Sequence, residues 1–255
     1  MPLLQINNLT HWFGGLRAVY DFHENLEGGE LVGLIGPNGA GKTTIFNLIC
    51  GIYRPTEGEI LLSGEGLVGR SPHEITSRGI GRTFQKLRLW RHLSVLDTVK
   101  LAFTSRLNYG LVDALLWTGR CKEREEEIEE RTYQLLDTFG VTEYAHARAW
   151  DIPYGLQRRV EMARAMASEP KILLLDEPTV GMSLREMYEI MDLIRRMKEE
   201  FDLTIIVIEH RMRMIMSLCE TIKAIDFGEI IADGAPDQIR ENPKVIEAYL
   251  GREEI

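Results

Sequence analysis

The sequence lacks the features of secreted, disulfide-bonded and membrane-spanning chains. Its three cysteines, Cys50, Cys121 and Cys219, are odd in number and have no CxxC spacing. They indicate neither a disulfide framework nor a zinc site, and a reducing cytosol fits best. The N-terminus has no charged segment followed by a long apolar stretch, and no apolar run approaches the ~18 residues of a membrane helix. We therefore expect a globular chain that neither crosses a membrane nor enters a secretory route.

Basic residues are also scarce. The chain has 30 lysines and arginines against 39 acidic residues, which gives a net charge of -9. A nucleic-acid groove needs clustered lysine and arginine to neutralise phosphates, so no nucleic-acid partner is expected. The 255 residues are 44% hydrophobic, which is enough to bury a sizeable core.

Strands and helices alternate along most of the chain. The segments LVGLI (31–35), ILLL (172–175) and TIIVI (204–208) are short apolar runs, typical of strands buried on both faces of a parallel sheet. Helices are predicted after the first two, from IFNLICGIY and from residues 185–201, and we interpret the methionines of the latter as core packing. TIKAIDFGEIIADG (221–234) predicts a hairpin turning at residues 226–228.

The middle of the chain has a different pattern. From about residue 86 to 165 the sequence is helical, and residues 122–140 carry one apolar stripe and an i,i+4 pair, Glu127 with Arg131. The stripe consists of Ile128, Leu135, Leu136 and Phe139. We expect a helical subdomain at 86–165 inserted into an α/β core formed by residues 1–85 and 166–255.

Candidate chemistry begins at GPNGAGKTT, residues 36–44. It fits the G-x-x-x-x-G-K-[ST] pattern between a predicted strand and a predicted helix. The glycines allow backbone N–H groups to surround phosphate oxygens, with the helix N-terminus adding partial positive charge. Lys42 can reach the β and γ phosphates, and the Thr43 hydroxyl can bind Mg²⁺.

Two adjacent carboxylates, Asp176 and Glu177, follow the buried strand 172–175. Ligands of parallel sheets bind at this edge, so Asp176 can hold Mg²⁺ and Glu177 can polarise the water that attacks the γ-phosphate. The positive charge of the metal would relieve the repulsion between the two acids. Pro178 is expected to end the strand pairing.

With these motifs in place, the sequence resembles the ATP-binding subunits of ABC transporters over essentially its whole length. The resemblance rests on HWFGG, GPNGAGKTT, RTFQ, IPYGLQRRVEMARA, ILLLDEP, VGMS and IIVIEH, in that order. It implies a P-loop NTPase core with a mainly parallel sheet, an N-terminal antiparallel part and the inserted helical subdomain that carries the signature stretch.

The resemblance also implies roles for individual residues. Phe13 would stack on adenine, Gln85 would serve catalysis and Mg²⁺ binding, and His210 would be the switch histidine. Mg²⁺ would be bound by Thr43, Gln85 and Asp176, and Glu177 would act as the base. Phosphates of ATP would be held by Asn38, Gly39, Ala40, Gly41, Lys42, Thr43 and Thr44.

Within that family, GGLRAV, GIGRTFQKLRLWRHLSVLDTV, IEHRM and the ending ADGAPDQIRENPKVIEAYLG are similar to branched-chain amino-acid importers and their urea- and amide-importing relatives. The resemblance implies a partner ATP-binding subunit, usually a different chain, with two ATP molecules between the two. It also implies two transmembrane permease subunits, a solute-binding protein that acts indirectly, and a peripheral position on the cytoplasmic face of the membrane. The apolar residues Leu87, Leu89, Trp90 and Leu93 could pack within the subdomain or contact a partner.

Two departures leave alternatives open. The signature reads Ile152-Pro153-Tyr154-Gly155-Leu156 where the family usually has Leu-Ser at the start and Gln at position 156, and Ser183 replaces the usual acid or amide of VGMS. These changes permit an ATP-gated regulatory module with little turnover as the alternative to a transport ATPase. An ABC protein of translation or DNA repair is disfavoured by the single cassette and the lack of basic excess. A P-loop kinase would have no use for the signature or His210.

Overall fold

The computed structural model describes residues 2–103 and 119–250. Part of the predicted helical subdomain, residues 104–118, lies outside the described residues. Contacts divide the chain into two compact units, Met1–Gln85 with Lys171–Ile255, and Lys86–Pro170. In chain order the elements are β1 Leu4–Phe13, β2 Leu16–Leu26, β3 Leu31–Ile35, α1 Lys42–Ile49, β4 Glu57–Leu62, β5 Glu65–Gly66, α2 Pro72–Ser77, β6 Ile80–Arg82, α3 Val95–Phe103, α4 Gly119–Thr138, a 3₁₀ turn Thr142–Tyr144, α5 Tyr154–Met166, β7 Ile172–Asp176, α6 Leu184–Phe201, β8 Thr204–Ile208, α7 Met212–Leu218, β9 Thr221–Asp226, β10 Glu229–Gly234, α8 Pro236–Arg240 and α9 Pro243–Leu250.

A mainly parallel sheet forms the centre of the first unit. Its strand order over the described residues is β10-β9-β3-β8-β7-β6, and only the β9–β10 hairpin is antiparallel there. Every residue of β3, β7 and β8 is buried, which confirms these three predicted strands. Because β3, β6, β7 and β8 run in the same direction, the segments that follow them begin at one edge of the sheet.

A smaller antiparallel sheet, of order β2-β1-β4-β5, packs into the same core. Residues of β1, β2 and β4 share one apolar cluster with α1, whose Ile45, Phe46 and Ile49 are buried there. This arrangement confirms the expected antiparallel N-terminal part. It also fixes α1, and therefore the loop that precedes it, between two sheets.

Two further secondary-structure predictions for the first unit are confirmed. Helix α6 covers the predicted residues 185–201 and buries Met187, Met191 and Met197, so these methionines are core residues. Asp226 ends β9 and Glu229 begins β10, which places the hairpin turn where the sequence predicts it. The apolar pattern indicates a helix that begins at Ile45, whereas α1 begins three residues earlier, at Lys42.

The second unit consists of helices in the residues described. Ile128, Leu135, Leu136 and Phe139 are all buried, which confirms the predicted stripe, and Arg131 lies 4.0 Å from Glu127. Helix α5 also buries a charged pair, Arg158 Nη1 and Glu161 Oε2 at 2.7 Å. Of the apolar residues after Gln85, Leu89 is buried and Trp90 is half exposed.

Among residues 2–103 and 119–250, no helix is both long enough and apolar enough to span a membrane.

Candidate functional site

The glycine-rich loop, residues 36–44, adopts a shape that side chains would prevent at two points. Gly36 has φ of 152° and Gly41 has φ of 103°, both in the region that favours glycine. A Cβ atom on Gly36 would lie 2.1 Å from the carbonyl oxygen of Ile225, and one on Gly41 would lie 2.4 Å from that of Ala18. Both glycines of the motif are therefore required by backbone contacts within the first unit.

Lys42 begins helix α1 and is buried. Its Nζ donates hydrogen bonds to the carbonyl oxygens of Gly36, at 2.6 Å, and Pro37, at 2.9 Å. These contacts place the ammonium group inside the curve of the loop. The loop therefore holds a positive charge at its centre and the N-terminus of a helix at its end, which is an anion-binding arrangement. Thr43 and Thr44 lie in the first turn of the same helix.

Asp176 ends β7 and is almost fully buried. Its Oδ2 accepts a hydrogen bond from Arg82 Nη2 at 2.9 Å, and the two side chains form a buried ion pair. Arg82 Nη1 also donates to Asn47 Oδ1 of helix α1 at 2.7 Å. One guanidinium group therefore joins the carboxylate after β7 to the helix that follows the glycine-rich loop.

Glu177 follows in the left-handed region, with φ of 48°. Its Oε2 accepts a hydrogen bond from Gln85 Nε2 at 2.7 Å and lies 3.9 Å from His210 Nδ1. The Glu177 backbone N–H donates to the Ile208 carbonyl at 2.9 Å, which pins the residue to β8. The structure therefore brings Glu177, Gln85 and His210 together, although β6, β7 and β8 are far apart in sequence.

Glu209 holds the segment around His210. It is fully buried, and its carboxylate accepts hydrogen bonds from the Thr179 N–H at 3.0 Å, the Thr179 hydroxyl and the His210 N–H at 3.2 Å. These bonds connect the segment after Glu177 with the segment after β8. Arg211 adds a second connection, because its guanidinium donates to the Met182 carbonyl at 3.3 Å.

A cavity of about 630 Å³ opens beside these residues. It is lined by Gly36, Pro37, Asn38, Gln85, Glu177, Val180, His210, Ala248 and Tyr249. Four of the predicted site residues, Asn38, Gln85, Glu177 and His210, therefore share one space with the start of the glycine-rich loop. Tyr249 is unexpected there, and its hydroxyl accepts a hydrogen bond from the Gly36 N–H at 2.9 Å.

Phe13 belongs to an aromatic cluster at the end of β1. Its ring centroid lies 4.6 Å from that of His11 and 5.2 Å from that of Tyr53, both in edge-on geometry. One side of the cluster is open, since Phe13 is 42% exposed. An exposed aromatic ring held by two others is a suitable stacking platform for a planar base.

The signature stretch lies in the second unit. Pro153 precedes α5, and its carbonyl oxygen accepts hydrogen bonds from the N–H groups of Leu156 and Gln157, each at 3.0 Å. No side chain caps this helix start. A serine at position 153 would offer a hydroxyl and an N–H. Pro153 has neither, so the N-terminus of α5 has two fewer hydrogen-bond donors than it would have with serine.

Ser183 has a structural role in the first unit. Its hydroxyl accepts a hydrogen bond from the Glu186 N–H, and the Glu186 carboxylate accepts one from the Ser183 N–H, which makes a capping box at the start of α6. Hydrogen bonds from the Ser183 hydroxyl and, to a smaller extent, the Ser183 N–H hold the pKa of Glu186 below its usual value. Ser183 therefore caps the start of α6, although the family usually has an acid or amide at this position.

Arg82, Glu209 and Tyr249 make polar contacts in the site that were not predicted from the sequence. Arg82 and Glu209 each lie within three residues of a predicted one, Gln85 and His210, and their burial is what reveals them. Cys50, by contrast, is buried without a role in the site. Burial raises the pKa of its thiol to about 11 and leaves the thiol unreactive.

Comparison with known proteins now identifies the class. A family model described as ABC transporter matches residues 19–180, and one described as branched-chain amino acid ATP-binding cassette transporter matches residues 229–255. The chain belongs to the ABC transporter family, and it is an ATP-binding ATPase of that family.

Individual relatives are similar over nearly their whole lengths. The chain is 41% identical over 250 residues to the high-affinity branched-chain amino acid transport ATP-binding protein BraF of Pseudomonas aeruginosa, covering 98% of each. It is 42% identical to the corresponding protein LivG of Escherichia coli K12, with the same coverage. Among solved structures, the ADP conformation of MJ1267, an ATP-binding cassette of an ABC transporter, has a TM-score of 0.85 at 26% identity, covering 99% of this chain and 100% of that one.

Proposed function

We propose that this chain is the ATP-hydrolysing motor subunit of an ABC importer for branched-chain amino acids or a related small polar solute. The observation that carries the proposal is the cavity in which Glu177, Gln85 and His210 meet the glycine-rich loop. The solute class is supported by the names of the relatives, which are transport ATP-binding proteins for branched-chain amino acids over 98% of their lengths.

The chain would bind ATP through both its adenine base and its phosphates. The adenine would stack on Phe13, the exposed member of the aromatic cluster. The phosphates would lie in the loop against the N–H groups of residues 38–44, and Lys42 would exchange its bonds to the Gly36 and Pro37 carbonyls for bonds to phosphate oxygens. These two contacts fix the base and the phosphates independently.

Glu177 is positioned to activate water. Its carboxylate is held by Gln85 and lies near His210, so a water in the same cavity could give up a proton to Glu177 as it attacks the γ-phosphate. His210 would orient the phosphate group and the water from the other side. The left-handed backbone at Glu177 and its bond to Ile208 keep the carboxylate in place during this step.

The residues also fit Mg²⁺, which would neutralise phosphate charge during transfer. Mg²⁺ prefers oxygen ligands and is commonly bound by one or two protein groups together with phosphates and waters. Thr43, Gln85 and Asp176 offer a hydroxyl, an amide oxygen and a carboxylate. Among the described residues no group of three or more His, Cys, Asp or Glu could hold a metal, so phosphate oxygens would have to complete the site.

The assembled protein would contain a second ABC ATP-binding subunit, most simply a different chain, and two transmembrane permease subunits, with a solute-binding protein acting indirectly. The chain would lie peripherally on the cytoplasmic face of the membrane. The altered signature at Pro153 supports a heterodimer, because a partner with a full signature would complete the ATP site built on Lys42 and Glu177. We propose no nucleic-acid partner.

Binding and turnover of ATP test the proposal. We expect Lys42→Ala to abolish measurable ATP binding to the purified chain and hydrolysis by the assembled complex, because it removes a charged contact to phosphate. Lys171→Ala, at an exposed position just before β7, is the matched control and should retain both. Branched-chain amino acids delivered by the solute-binding protein should stimulate hydrolysis in liposomes. An unaffected Lys42→Ala variant would refute the ATP site, and a lack of stimulation would refute branched-chain amino acids as the solutes.

A further inference from the structure

The C-terminal helix α9 contacts the glycine-rich loop directly. The hydroxyl oxygen of Tyr249 accepts a hydrogen bond from the backbone N–H of Gly36, the first glycine of the motif, at 2.9 Å. The two residues are 213 positions apart in sequence. The loop is therefore attached to helix α9 as well as to β3 and α1.

Helix α9 is ordered at its start by local hydrogen bonds, and one buried side chain holds it against the first unit. The Asn242 side-chain oxygen accepts a hydrogen bond from the Lys244 N–H at 3.0 Å, and the Ile246 N–H donates to the Asn242 carbonyl at 3.0 Å. Val245 is buried, with 3% of its surface exposed. These contacts fix the first turn of the helix and direct the following turn, with Ala248 and Tyr249, along the cavity.

The Tyr249 hydroxyl remains a neutral group. Burial raises the pKa of this phenol, while the N–H of Gly36 acts in the opposite direction. A protonated phenol that accepts one hydrogen bond still has a proton to donate, so it can bind to Gly36 and to an acceptor in the cavity at the same time. Accepting a bond from Gly36 also makes the hydroxyl a better donor.

We infer that Tyr249 is a positioning residue for the glycine-rich loop, through which helix α9 responds to the nucleotide bound there. This inference rests on the proposed ATP site. Phosphates that order the loop also order the N–H of Gly36, so they strengthen the attachment of Tyr249. Because such coupling is reciprocal, an attached helix must favour nucleotide binding to the same extent that bound nucleotide favours attachment.

The test compares the full chain with Tyr249→Phe, which removes the hydroxyl and keeps the ring. The measurements are ATP affinity and amide hydrogen exchange of residues 243–250, with and without ATP and Mg²⁺. In the parent chain we expect ATP to slow exchange of these amides about two- to tenfold, the range of one hydrogen bond. In Tyr249→Phe this response should be lost, and ATP affinity should fall by a similar factor. Tyr188→Phe, on the exposed side of α6, should behave like the parent.

Each outcome decides the question. If ATP does not alter exchange in the parent helix, or if Tyr249→Phe keeps the response, the inference is wrong. If the parent chain binds no ATP, the proposed function fails and the inference fails with it. A parent chain that binds ATP in a Lys42-dependent way, while helix α9 does not respond, overturns the inference alone.

Discussion

At the residue scale, the buried pair of Arg82 and Asp176 is the most consequential contact that the sequence did not predict. Both side chains are more than nine-tenths buried, and their closest atoms are 2.9 Å apart. Arg82 also lies over the rings of Phe46 and Phe84, with its Cζ 5.6 Å and 4.9 Å from their centroids. The carboxylate that we propose for Mg²⁺ binding is therefore held in position by a fixed positive charge.

Removal of Arg82 should destabilise the fold strongly. Arg82→Met leaves Asp176 buried and unpaired, which typically costs about 3–5 kcal/mol. Denaturant unfolding of the full chain measures this loss, with Arg213→Met at an exposed site as the control. Adding Asp176→Asn to Arg82→Met should restore part of the stability, because the unpaired charge is then gone. A variant Arg82→Met as stable as the control would show that the pair does not hold Asp176.

Phe13 and Trp12 offer a matched pair for locating the adenine. They are adjacent in β1 and equally exposed at 42%, and successive residues of a strand point to opposite faces. We expect Phe13→Ala to weaken ATP binding by roughly 0.5–1.5 kcal/mol, the value of an aromatic stacking pair beyond its buried area. Trp12→Ala should change the affinity little. Isothermal titration of both variants checks the assignment, and the reverse ranking would move the adenine site to the other face.

At the scale of elements, the strands and the helix after β7 were predictable because their patterns are local. LVGLI, ILLL and TIIVI are buried over every residue, so a continuous apolar run is the required sequence. In the glycine-rich loop, contacts to the carbonyl oxygens of Ile225 and Ala18 leave room only for hydrogen atoms at Gly36 and Gly41. The loop shape therefore requires glycine at both positions, and this requirement is visible in the sequence.

Other elements depend on contacts that no local pattern encodes. The bond from Gly36 to Tyr249 joins residues 213 apart, and the bonds of Glu209 join it to Thr179, 30 residues away. Sequence spacing carries no information on either pair. The role of Ser183 was also missed, although Ser183 and Glu186 have the spacing of a capping box before an apolar run.

In the assembly that we propose, the start of helix α5 determines which hydrogen-bond donors this chain would offer to a partner ATP-binding subunit. In the ATP sandwich that the family resemblance implies, the signature of one subunit serves the nucleotide of the other, and Pro153 removes a hydroxyl and an N–H from that set. Each lost donor to an anionic oxygen is worth about 1.5–3 kcal/mol. The partner's site should therefore be weak, while the site on this chain's Lys42 and Glu177 stays active.

Restoring the signature tests this asymmetry. Pro153→Ser with Leu156→Gln should raise turnover at the partner's site in the complex, and it should raise ATP-dependent dimerisation of the isolated chain. Pro72→Ser, at the start of helix α2, is the control for replacing a helix-starting proline and should have neither effect. If both measurements stay unchanged in the double variant, Pro153 is simply a tolerated helix start.

At the scale of the whole molecule, the parallel sheet explains why the site exists. Strands β3, β6, β7 and β8 end at one edge, and the segments after them supply the glycine-rich loop, Gln85, Glu177 and His210. Residues from these four segments thus meet in one cavity of the first unit, together with Ala248 and Tyr249 of helix α9. We propose that ATP is hydrolysed in this cavity.

The most direct test of this account is the rate of ATP hydrolysis by the assembled complex carrying Glu177→Gln, measured together with ATP affinity. The amide keeps an oxygen that can accept the bond from Gln85, so affinity should be unchanged, while loss of the base should slow hydrolysis at this site by about a hundredfold or more. Glu200→Gln, at an exposed position on α6, controls for the charge and should hydrolyse ATP like the parent. Hydrolysis by Glu177→Gln within a fewfold of the parent rate would contradict the account.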